Sequence, residues 1–437
     1  MSSEETFDEL YHERRKIEEA MLEAARALDA VGVKTAETMH LNCLRSRGDG
    51  SVRKIVVTAE QVNEYLERIA RIAKACREVN WSRGDYQPPI VFADLRYLKI
   101  DGNVSATVLF PVYLDYSEII EQFRVNILGP CKRFDASHTQ CSSLDIKVMD
   151  EQGFGPDKFD INVSGSKFGS LNIASESKFR GVYLNIWKTE VGCFIARNMI
   201  IKHIRADGSS FEEVMSFDEC RISIARFAQC RFFDGWQFSK CIFHNAPNFT
   251  DAKMDRQHTS FSDCRFRAAG RLIGSRCTPE DVAKYRYLRA HFSRAKDFYY
   301  ENLFYSLEQR GHRISGNAPI FDKVISFVYD SLSDYGSSVA RPFSIFFCQI
   351  LLFALLFGMI GGAVGRGVFL MHPAIGLSLQ NSFNPVGLFS DKSIVAVDSG
   401  VTYALSLVQA IFSVVLIALM LIGIRSRFKK GGGGESS

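Results

Sequence analysis

Residues 218–243 read DECRISIARFAQCRFFDGWQFSKCIF, and large apolar residues recur about every five positions along this stretch. The recurring residues are Ile222, Phe227, Phe232, Phe238 and Phe243. A period of five is neither the 3.6-residue period of a helix nor the two-residue period of an isolated strand. Such a short repeat is typical of a solenoid, in which each unit forms one side of a coil and successive coils stack. We therefore predict that these five side chains lie in the core of a solenoid.

A small side chain stands two positions before most of these large apolar residues, as at Cys220, Ala225, Cys230, Cys241, Ala252 and Cys264. The arrangement recurs less regularly from about residue 90 to residue 270, and the segments 101–122 and 149–160 interrupt it. In a narrow coil, both the large and the small residue of each unit are expected to point inward. We therefore interpret the cysteines of this region as core residues, without a redox role.

The repeat resembles that of the pentapeptide-repeat family, whose consensus is A-D/N-L-x-x. Ala93-Asp94-Leu95 matches this consensus, whereas later units carry Phe in place of Leu and Cys or Ser in place of Ala. The resemblance implies a mainly β fold, a right-handed quadrilateral β-helix, over residues 90–270.

Two stretches near the C-terminus, residues 343–365 and 401–424, contain no charged side chain. Each is long enough to cross the roughly 30 Å hydrocarbon core of a bilayer as a helix. We therefore predict an integral membrane protein with transmembrane helices at 342–365 and 401–424, and the lipid bilayer as one of its partners.

Charges at the ends of the two spans predict their orientation. Arg341 precedes the first span, and a basic tail at 425–437, expected to be flexible, follows the second. Positive residues favour the cytoplasmic side, so both termini are expected in the cytoplasm. Residues 366–400 then form an extracytoplasmic loop, in which 373–380 are expected to be a short helix.

A ten-residue string, SDYGSSVARP at residues 333–342, lies directly before the first span. It resembles the S-D-Y-G-x-S-x-x-R-P junction of bacterial pentapeptide-repeat membrane proteins that end in two transmembrane helices. This resemblance implies a location in the bacterial inner membrane. Further upstream, Thr278-Pro279-Glu280-Asp281 is a helix start that predicts a helix running to Arg310. We expect residues 278–341 to form connecting and interfacial helices.

The first 85 residues are predicted to form a helical cap. Apolar residues keep helical spacing from Phe7 to Leu28, and a second helix begins with a capping box formed by Thr58 and Gln61. Such a helical pair either covers the end of the solenoid, or binds a partner or forms a coiled coil. Periodic apolar faces favour the covering role, because they usually mark packing.

The second span carries a stripe of polar residues. They are Thr402, Ser406, Gln409 and Ser413. Their spacing gathers them within about 60° on one helix face, and Gln409 lies deep enough that contact with lipid would be costly. The stripe therefore either lines a pore or forms hydrogen bonds between helices. In the first span, Gly358 and Gly362 would allow another helix to approach closely.

The sequence contains no constellation typical of catalysis, of a bound cofactor or of a metal site. The net charge is only +4, so nucleic acid is not an expected partner. We expect a membrane-anchored, non-enzymatic binding or sensing module, with an unknown cytoplasmic protein or signal ligand as partner and a hairpin that forms homo-oligomers. The alternative is a channel or membrane-disrupting effector whose hairpin forms a gated pore.

Overall fold

The computed structural model of the chain describes most, but not all, of its residues. They are residues 16, 19–20, 55–82, 92–128, 133–149, 159–175, 181–254, 259–267, 277–315, 319–336, 338–360, 363–365, 373–384, 395–397 and 399–431. The chain divides into two compact units, Met1–Ala268 and Ala269–Ser437. The helix predicted from Phe7 to Leu28 lies almost entirely outside the described residues.

The first unit opens with strand β1 (Ile55–Thr58) and helix α1 (Ala59–Ser82). The predicted capping box is present, because Gln61 N donates to Thr58 Oγ1 at 3.3 Å and Thr58 N donates to Gln61 Oε1 at 2.9 Å. The apolar face of α1 is buried. From that face, the Tyr65 hydroxyl accepts a 3.3 Å hydrogen bond from Asp94 N in the first coil of the solenoid.

The rest of this unit is a parallel β-solenoid of stacked coils, as the five-residue period predicts. Its strands are β2 (Ala93–Asp94), β3 (Leu98–Asp101), β4 (Val104–Val108), β5 (Val112–Tyr113), β6 (Glu118–Leu128), β7 (Arg133–Asp135), β8 (Gln140–Met149), β9 (Phe159–Asn162), β10 (Lys167–Ser175), β11 (Val182–Asn185), β12 (Glu190–Arg197), β13 (Ile200–Arg205), β14 (Ser210–Phe211), β15 (Met215–Asp218), β16 (Arg221–Arg226), β17 (Arg231–Phe232), β18 (Trp236–Ser239), β19 (Ile242–Phe243), β20 (Lys253–Met254), β21 (Thr259–Ser262) and β22 (Arg265–Phe266).

These strands form two parallel sheets. One sheet has the order β2-β5-β7-β9-β11-β13-β16-β19-β22. The other follows β1-β3-β6-β8-β10-β12-β14-β17-β20, with β4, β15, β18 and β21 paired beside that path. Ile201 lies opposite Ile222, and Ile222 lies opposite Phe243, so these neighbouring coils are 21 residues apart. This offset corresponds to four five-residue units and one extra residue.

The interior of the coils is filled by stacked apolar side chains. Ile222, Phe227, Phe232, Phe238 and Phe243 are all 0% exposed. Aromatic rings stack between equivalent positions of successive coils, as in the Phe217–Phe238 pair, whose ring centroids are 4.9 Å apart with planes 10° from parallel. Within one coil, by contrast, Phe227 and Phe232 meet edge to face at 6.4 Å.

The coils also continue through residues 101–122, where the five-residue pattern is interrupted. Lys99 pairs with Glu118 and Val104 pairs with Phe123, so β3 and β4 lie in one register against β6. On the other side of β6, the register against β8 shifts between Ile119 and Gln122. Extra residues are accommodated there as a bulge in the ladder, which hides the period without ending the solenoid.

A turn between strands has the same backbone conformation in most coils, and the apolar pattern does not predict it. One residue of this turn has a left-handed backbone conformation, with φ between 51° and 72°. These residues are Tyr97, Tyr116, His138, Gly165, Lys188, Gly208, Gln229 and Asp251. A short hydroxyl or thiol side chain usually follows and donates to a carbonyl of the preceding coil. Thr139 Oγ1 donates to Leu114 O at 2.6 Å, and Ser166 Oγ donates to Ala136 O at 2.7 Å. The small inward residues therefore satisfy backbone groups that would otherwise be unpaired in the core.

The second unit is mainly helical. Its elements are α2 (Pro279–Arg294), α3 (Phe298–Ile314), α4 (Ile320–Ser333), α5 (Ala340–Ile360), β23 (Ala363–Gly365), α6 (Pro373–Phe383), β24 (Val395–Val397) and α7 (Gly400–Gly431). Helices α5 and α7 are long and apolar enough to cross a membrane. The short helix predicted between them is α6, and the antiparallel strands β23 and β24 pair on either side of it.

Three helix boundaries in this unit differ from the predicted ones. The helix that starts at Thr278 does not run to Arg310, because Lys296 is left-handed at φ 57° and the Asp297 side chain caps a new helix at Tyr299 N and Tyr300 N. The first apolar helix ends at Ile360 rather than at residue 365. The segment expected to be a flexible tail is instead helical as far as Gly431.

Candidate functional site

The polar stripe of α7 is fully buried within its own chain. Thr402, Ser406, Gln409 and Ser413 are each 0% exposed. The adjoining residues Val408 and Ile411 are 55% and 58% exposed, so the opposite face of the helix is the one left uncovered. The stripe packs on α6 and α5, which places it inside the hairpin and away from the surface.

Gln409 is the centre of this arrangement. Its Nε2 donates to Ser378 O at 3.1 Å, to Ser378 Oγ at 2.8 Å and to Ser382 Oγ at 3.0 Å. Its Oε1 accepts a 3.3 Å hydrogen bond from Asn381 Nδ2. All of these partners belong to α6, so one side chain of the second apolar helix is bonded along about one turn of the short helix.

The first apolar helix joins the same network through Gln349. Gln349 Nε2 donates to Ser413 Oγ and, at 3.4 Å, to Gln409 O. Ser378 Oγ donates to Ile350 O at 2.7 Å, which links α6 to α5 as well. We call the eight residues of this network and stripe the polar core: Gln349, Ser378, Asn381, Ser382, Thr402, Ser406, Gln409 and Ser413. Its side chains carry no formal charge.

Three local features of the sequence position α6 between the two helices: a proline at its start, a glycine of α5 that faces it, and an apolar side that packs on α5. Pro373 is the first residue of α6, where its fixed φ favours a helix start. A Cβ built on Gly358 would lie 3.9 Å from Ala374 Cβ, so this glycine faces the start of α6. Gly362 lies outside the described residues. Leu377 packs in a cluster with Phe357 and Ala374, which holds the apolar side of α6.

Four members of the polar core were not predicted from sequence. Ser378, Asn381 and Ser382 have the i, i+3, i+4 spacing of one helix face, and this spacing was available as a signal. Gln349 stands alone in an apolar helix and offers no such pattern. Its role depends on a contact with a residue 60 positions away in the chain.

A second polar cluster occupies the junction that precedes α5. The Arg310 guanidinium bonds Asp330 at 3.0 and 3.1 Å and also bonds Asp334, and Arg313 bonds Asp330 at 2.9 Å. Arg310 and Asp330 are 8% and 3% exposed. Asp334, Tyr335 and the following glycine are all left-handed, which turns the chain sharply. The SDYG string therefore ends α4 and presents Asp334 to Arg310.

On the solenoid, a groove of about 370 Å³ lies over successive coils. Its polar lining consists of Arg133, Asp160, Asn162, Tyr183, Asn185, His203 and Arg205. The register between β11 and β13 shifts here, because Val182 pairs with Ile201 whereas Tyr183 pairs with His203. The extra residue is a β-bulge, a feature that often redirects side chains beside a site. Burial, together with Arg226 and Arg205, lowers the pKa of His203.

A carboxyl pair lies near this groove. Burial, a hydrogen bond with Asp135 and the charge of Asp135 raise the pKa of Asp115 to about 7. Asp135 itself accepts hydrogen bonds from Arg133 at 2.6 Å and from Asn162 at 3.0 Å, and its pKa is lowered. Asp115 is thus the group of the pair that holds a proton near neutral pH.

The cysteines of the described residues are free thiols. Burial raises the pKa of Cys141 and of Cys230 to about 12. Cys230 Sγ donates to Ala206 O at 2.8 Å, in the place that Ser and Thr take in other coils. Such thiols are poor nucleophiles. Across the described part of the chain, no group of three or more His, Cys, Asp or Glu is placed to hold a metal ion.

Comparisons of the chain with protein-family models, with curated proteins and with solved structures found no match. Its function is therefore inferred from the solenoid, the two apolar helices and the polar core.

Proposed function

We propose that the protein is a membrane-anchored, non-enzymatic binding module. In this proposal the solenoid is a right-handed quadrilateral pentapeptide-repeat β-helix in the cytoplasm. Helices α5 and α7 anchor it in a bacterial inner membrane, with both termini on the cytoplasmic side. The observation that carries the proposal is the closure of the polar stripe, since α6 of the same chain covers Gln409 completely. A stripe closed in this way favours an anchor over an open pore.

The outer surfaces of α5 and α7 support a lipid environment. Leu351, Leu355 and Met359 of α5 are 67%, 68% and 83% exposed, and Leu421 of α7 is 61% exposed. Soluble proteins rarely expose apolar patches of this extent. Lipid hydrocarbon can cover these apolar side chains, because the backbone polar groups of α5 and α7 are already hydrogen-bonded within each helix.

Helix α4 extends this apolar surface and has the character of an interfacial helix. Six large apolar side chains on one of its faces are 46–81% exposed: Ile320, Phe321, Val324, Ile325, Phe327 and Val328. The opposite face carries Asp330, which Arg310 and Arg313 hold in place. A helix with one apolar and one charged face fits the boundary between headgroups and acyl chains. It lies only a few residues before α5, where the bilayer would begin.

The binding face is proposed to be the outer surface of the solenoid at the groove. The volume of about 370 Å³ falls within the range of about 300–1,000 Å³ that small-molecule sites occupy. Repeat solenoids commonly present such surfaces to ligands or proteins. We therefore propose a cytoplasmic signal ligand or a cytoplasmic protein as the partner.

Homo-oligomers of the hairpin would need a surface other than the polar stripe. The stripe is already buried inside one chain, so copies would meet through the exposed sides of α5 and α7. Helix association in lipid can rest on van der Waals packing alone.

Fluorescence quenching by brominated lipids tests the anchor. The full-length variants Leu351→Trp and Phe321→Trp are reconstituted in nanodiscs, and the signal is compared with that of the wild type. Quenching of both added tryptophans is expected, with Phe233→Trp on the solenoid as the unquenched control. An unquenched Leu351→Trp would contradict a span at α5, whereas an unquenched Phe321→Trp alone would contradict only the interfacial position of α4.

Ion flux into liposomes separates the anchor from the pore. Wild-type protein is expected to cause no leak of monovalent ions. A leak that Gln409→Leu abolishes, in protein that remains folded, would favour a pore.

A further inference from the structure

The polar and apolar faces of α6 are arranged opposite to those of a helix that contacts water. Its fully buried polar residues are Ser378, Asn381 and Ser382. Its uncovered side carries Ile375 and Phe383, which are 39% and 65% exposed, and the partly buried Leu379 lies between them. These three apolar residues follow one another at intervals of four, so they share one face of the helix. A surface helix of a soluble domain turns its polar side outward. The uncovered side of α6 therefore fits an apolar environment.

The contacts with α5 show how far α6 extends along that helix. A Cβ built on Gly358, near the end of α5, would lie 3.9 Å from Ala374 Cβ at the start of α6. At the other end of α6, the ring centroids of Phe383 and Phe346 are 5.4 Å apart. Gly358 and Phe346 are about 18 Å apart along a helix. Helix α6 therefore runs antiparallel to α5 over more than half of its 21 residues.

The contacts with α7 reach a similar depth. Ser378 and Ser382 bond the Gln409 side chain. Leu379 packs against a cluster that contains Leu416, which lies about 24 Å along the helix from Gly400, the first residue of α7. Because α5 and α7 are the two helices that could cross a membrane, α6 lies beside the central turns of both rather than beyond their ends.

The chain enters and leaves this position at the same end of the hairpin. Strand β23 follows α5 and strand β24 precedes α7, and the two strands pair with Val364 opposite Ala396. Helix α6 lies between these strands in the sequence. The chain therefore starts from the end where α5 stops and α7 begins, extends beside both helices as α6, and returns to that same end.

We propose that α6 is a re-entrant helix, which enters the bilayer from the end of the hairpin formed by β23 and β24 and turns Ile375, Leu379 and Phe383 toward lipid acyl chains. Part of the loop predicted to be extracytoplasmic, Pro373–Phe383, then lies within the membrane. A helix is tolerated there because it satisfies its own backbone hydrogen bonds. The inference rests on the proposed anchor, since acyl chains surround α6 only if α5 and α7 cross the bilayer.

The end of α6 lies near the level of α4, the helix proposed to be interfacial. Phe383 contacts Phe346, and Phe346 belongs to a cluster against which Leu332 of α4 packs. Asn384, the exposed polar residue after α6, follows at this level. The neighbours proposed for α4 include lipid headgroups. The polar Asn384 is therefore not placed at the centre of the hydrocarbon.

Tryptophan fluorescence in nanodiscs tests the re-entrant helix. The full-length variants Ile375→Trp and Phe383→Trp are compared with Leu351→Trp, which reports the anchor, and with Phe233→Trp on the solenoid. The two quenchers are lipids brominated on their acyl chains and iodide in the aqueous phase. We expect brominated lipid to quench Ile375→Trp and Phe383→Trp as it quenches Leu351→Trp. Of the four added tryptophans, iodide should quench only that of Phe233→Trp.

The two quenchers separate the ways in which the proposal can fail. If iodide reaches the tryptophans on α6 while brominated lipid quenches Leu351→Trp, α6 lies in extracytoplasmic water, and the re-entrant helix is excluded although the anchor stands. If neither quencher reaches them, protein such as a second copy of the chain covers this face, and the lipid contact is excluded. If brominated lipid does not quench Leu351→Trp either, the anchor fails and the re-entrant helix fails with it.

A charged substitution gives a second measurement that does not depend on fluorescence. Phe383→Ala and Phe383→Asp both remove the ring that contacts Phe346, but only the aspartate places a charge on the uncovered face. In contact with lipid, Phe383→Asp should lower the melting temperature in nanodiscs by several degrees more than Phe383→Ala does. Phe233→Asp and Phe233→Ala, at the exposed position on the solenoid, should differ by less. Equal effects of Phe383→Asp and Phe383→Ala would place this face in water and contradict the proposal.

Discussion

Asn381 Nδ2 donates a 3.3 Å hydrogen bond to Gln409 Oε1, and this bond ties the short helix α6 to the second apolar helix of the same chain. Both residues are 0% exposed. A polar stripe that could have faced a pore or a neighbouring copy is instead buried within one hairpin. The arrangement explains how a glutamine can lie in the middle of an apolar helix, since its side-chain amide is hydrogen-bonded within the same chain.

The buried aromatic stack of the solenoid predicts a large loss of stability when one ring is removed. Phe232 is 0% exposed and stacks on Phe211 with ring centroids 5.3 Å apart. Phe232→Ala should lower the free energy of unfolding by about 3 to 5 kcal/mol. The next residue supplies the control, because Phe233 is 38% exposed and Phe233→Ala should cost less than about 1 kcal/mol. Chemical denaturation measures both, and equal losses would show that the inward register is misassigned.

The Asp115 carboxyl predicts that the stability of the solenoid depends on pH. Its pKa in the folded chain is raised from 3.8 to about 7 by burial and by Asp135, so the folded chain holds this proton more tightly than the unfolded chain. The stabilising contribution is therefore present at low pH and is lost as the pH rises from about 4 to about 7.

Asp115→Asn removes this titration. It should raise the melting temperature at pH 8 by several degrees and change it little at pH 4. Asp101→Asn, at an exposed aspartate of the same solenoid, is the control. An effect of Asp115→Asn that is equal at both pH values would exclude Asp115 as the titrating group.

The junction cluster predicts that Arg310 is important for the stability of the second unit. Arg310→Ala would remove one close partner of Asp330 and of Asp334 at a buried position. The free energy of unfolding should therefore fall by about 3 to 5 kcal/mol. Arg341 lies 3.6 Å from Asp334 and is 37% exposed, so Arg341→Ala should cost about 1 kcal/mol or less. Thermal unfolding of full-length protein in detergent measures both. If Arg310→Ala left the stability unchanged, the cluster would not be what holds α3 against α4.

The basic residues that flank the spans predict the orientation of the hairpin. A cysteine at Ser390, in an otherwise cysteine-free variant, should react with an impermeant thiol reagent added outside intact cells. A cysteine at Ser2 should react only after the membrane is permeabilised. Labelling of the Ser2 position in intact cells would reverse the proposed topology.

Local patterns in the sequence predicted much of this fold. The five-residue period predicted the register of Ile222 and Phe243 because each coil side is short and carries a large inward residue at that position. The capping side chains of Thr58 and Thr278 likewise marked two helix starts. In each case the signal and the structure lie within a few residues of one another.

Other features depended on contacts that no local pattern encodes. The break at Lys296 arises because Asp297 caps a new helix, although the apolar spacing continues across it. Gln349 gains its role only when α5 meets a residue 60 positions later. The spacing of Ser378, Asn381 and Ser382 indicates a polar face on α6. Its role as the partner of Gln409 depends on a contact between two helices, which the spacing does not show.

A double-mutant cycle between Ser382 and Gln409 tests the closure of the polar stripe most directly. Ser382 Oγ lies 3.0 Å from Gln409 Nε2, so the effects of Ser382→Ala and Gln409→Leu on the free energy of unfolding in a bilayer should not be additive. We expect a coupling energy of about 0.6 kcal/mol, the average for hydrogen bonds between membrane helices, and at most about 1.7 kcal/mol. Ser344→Ala combined with Gln409→Leu should show none. Strict additivity of Ser382→Ala and Gln409→Leu would contradict this pairing. The stripe would then line a pore or contact a second chain.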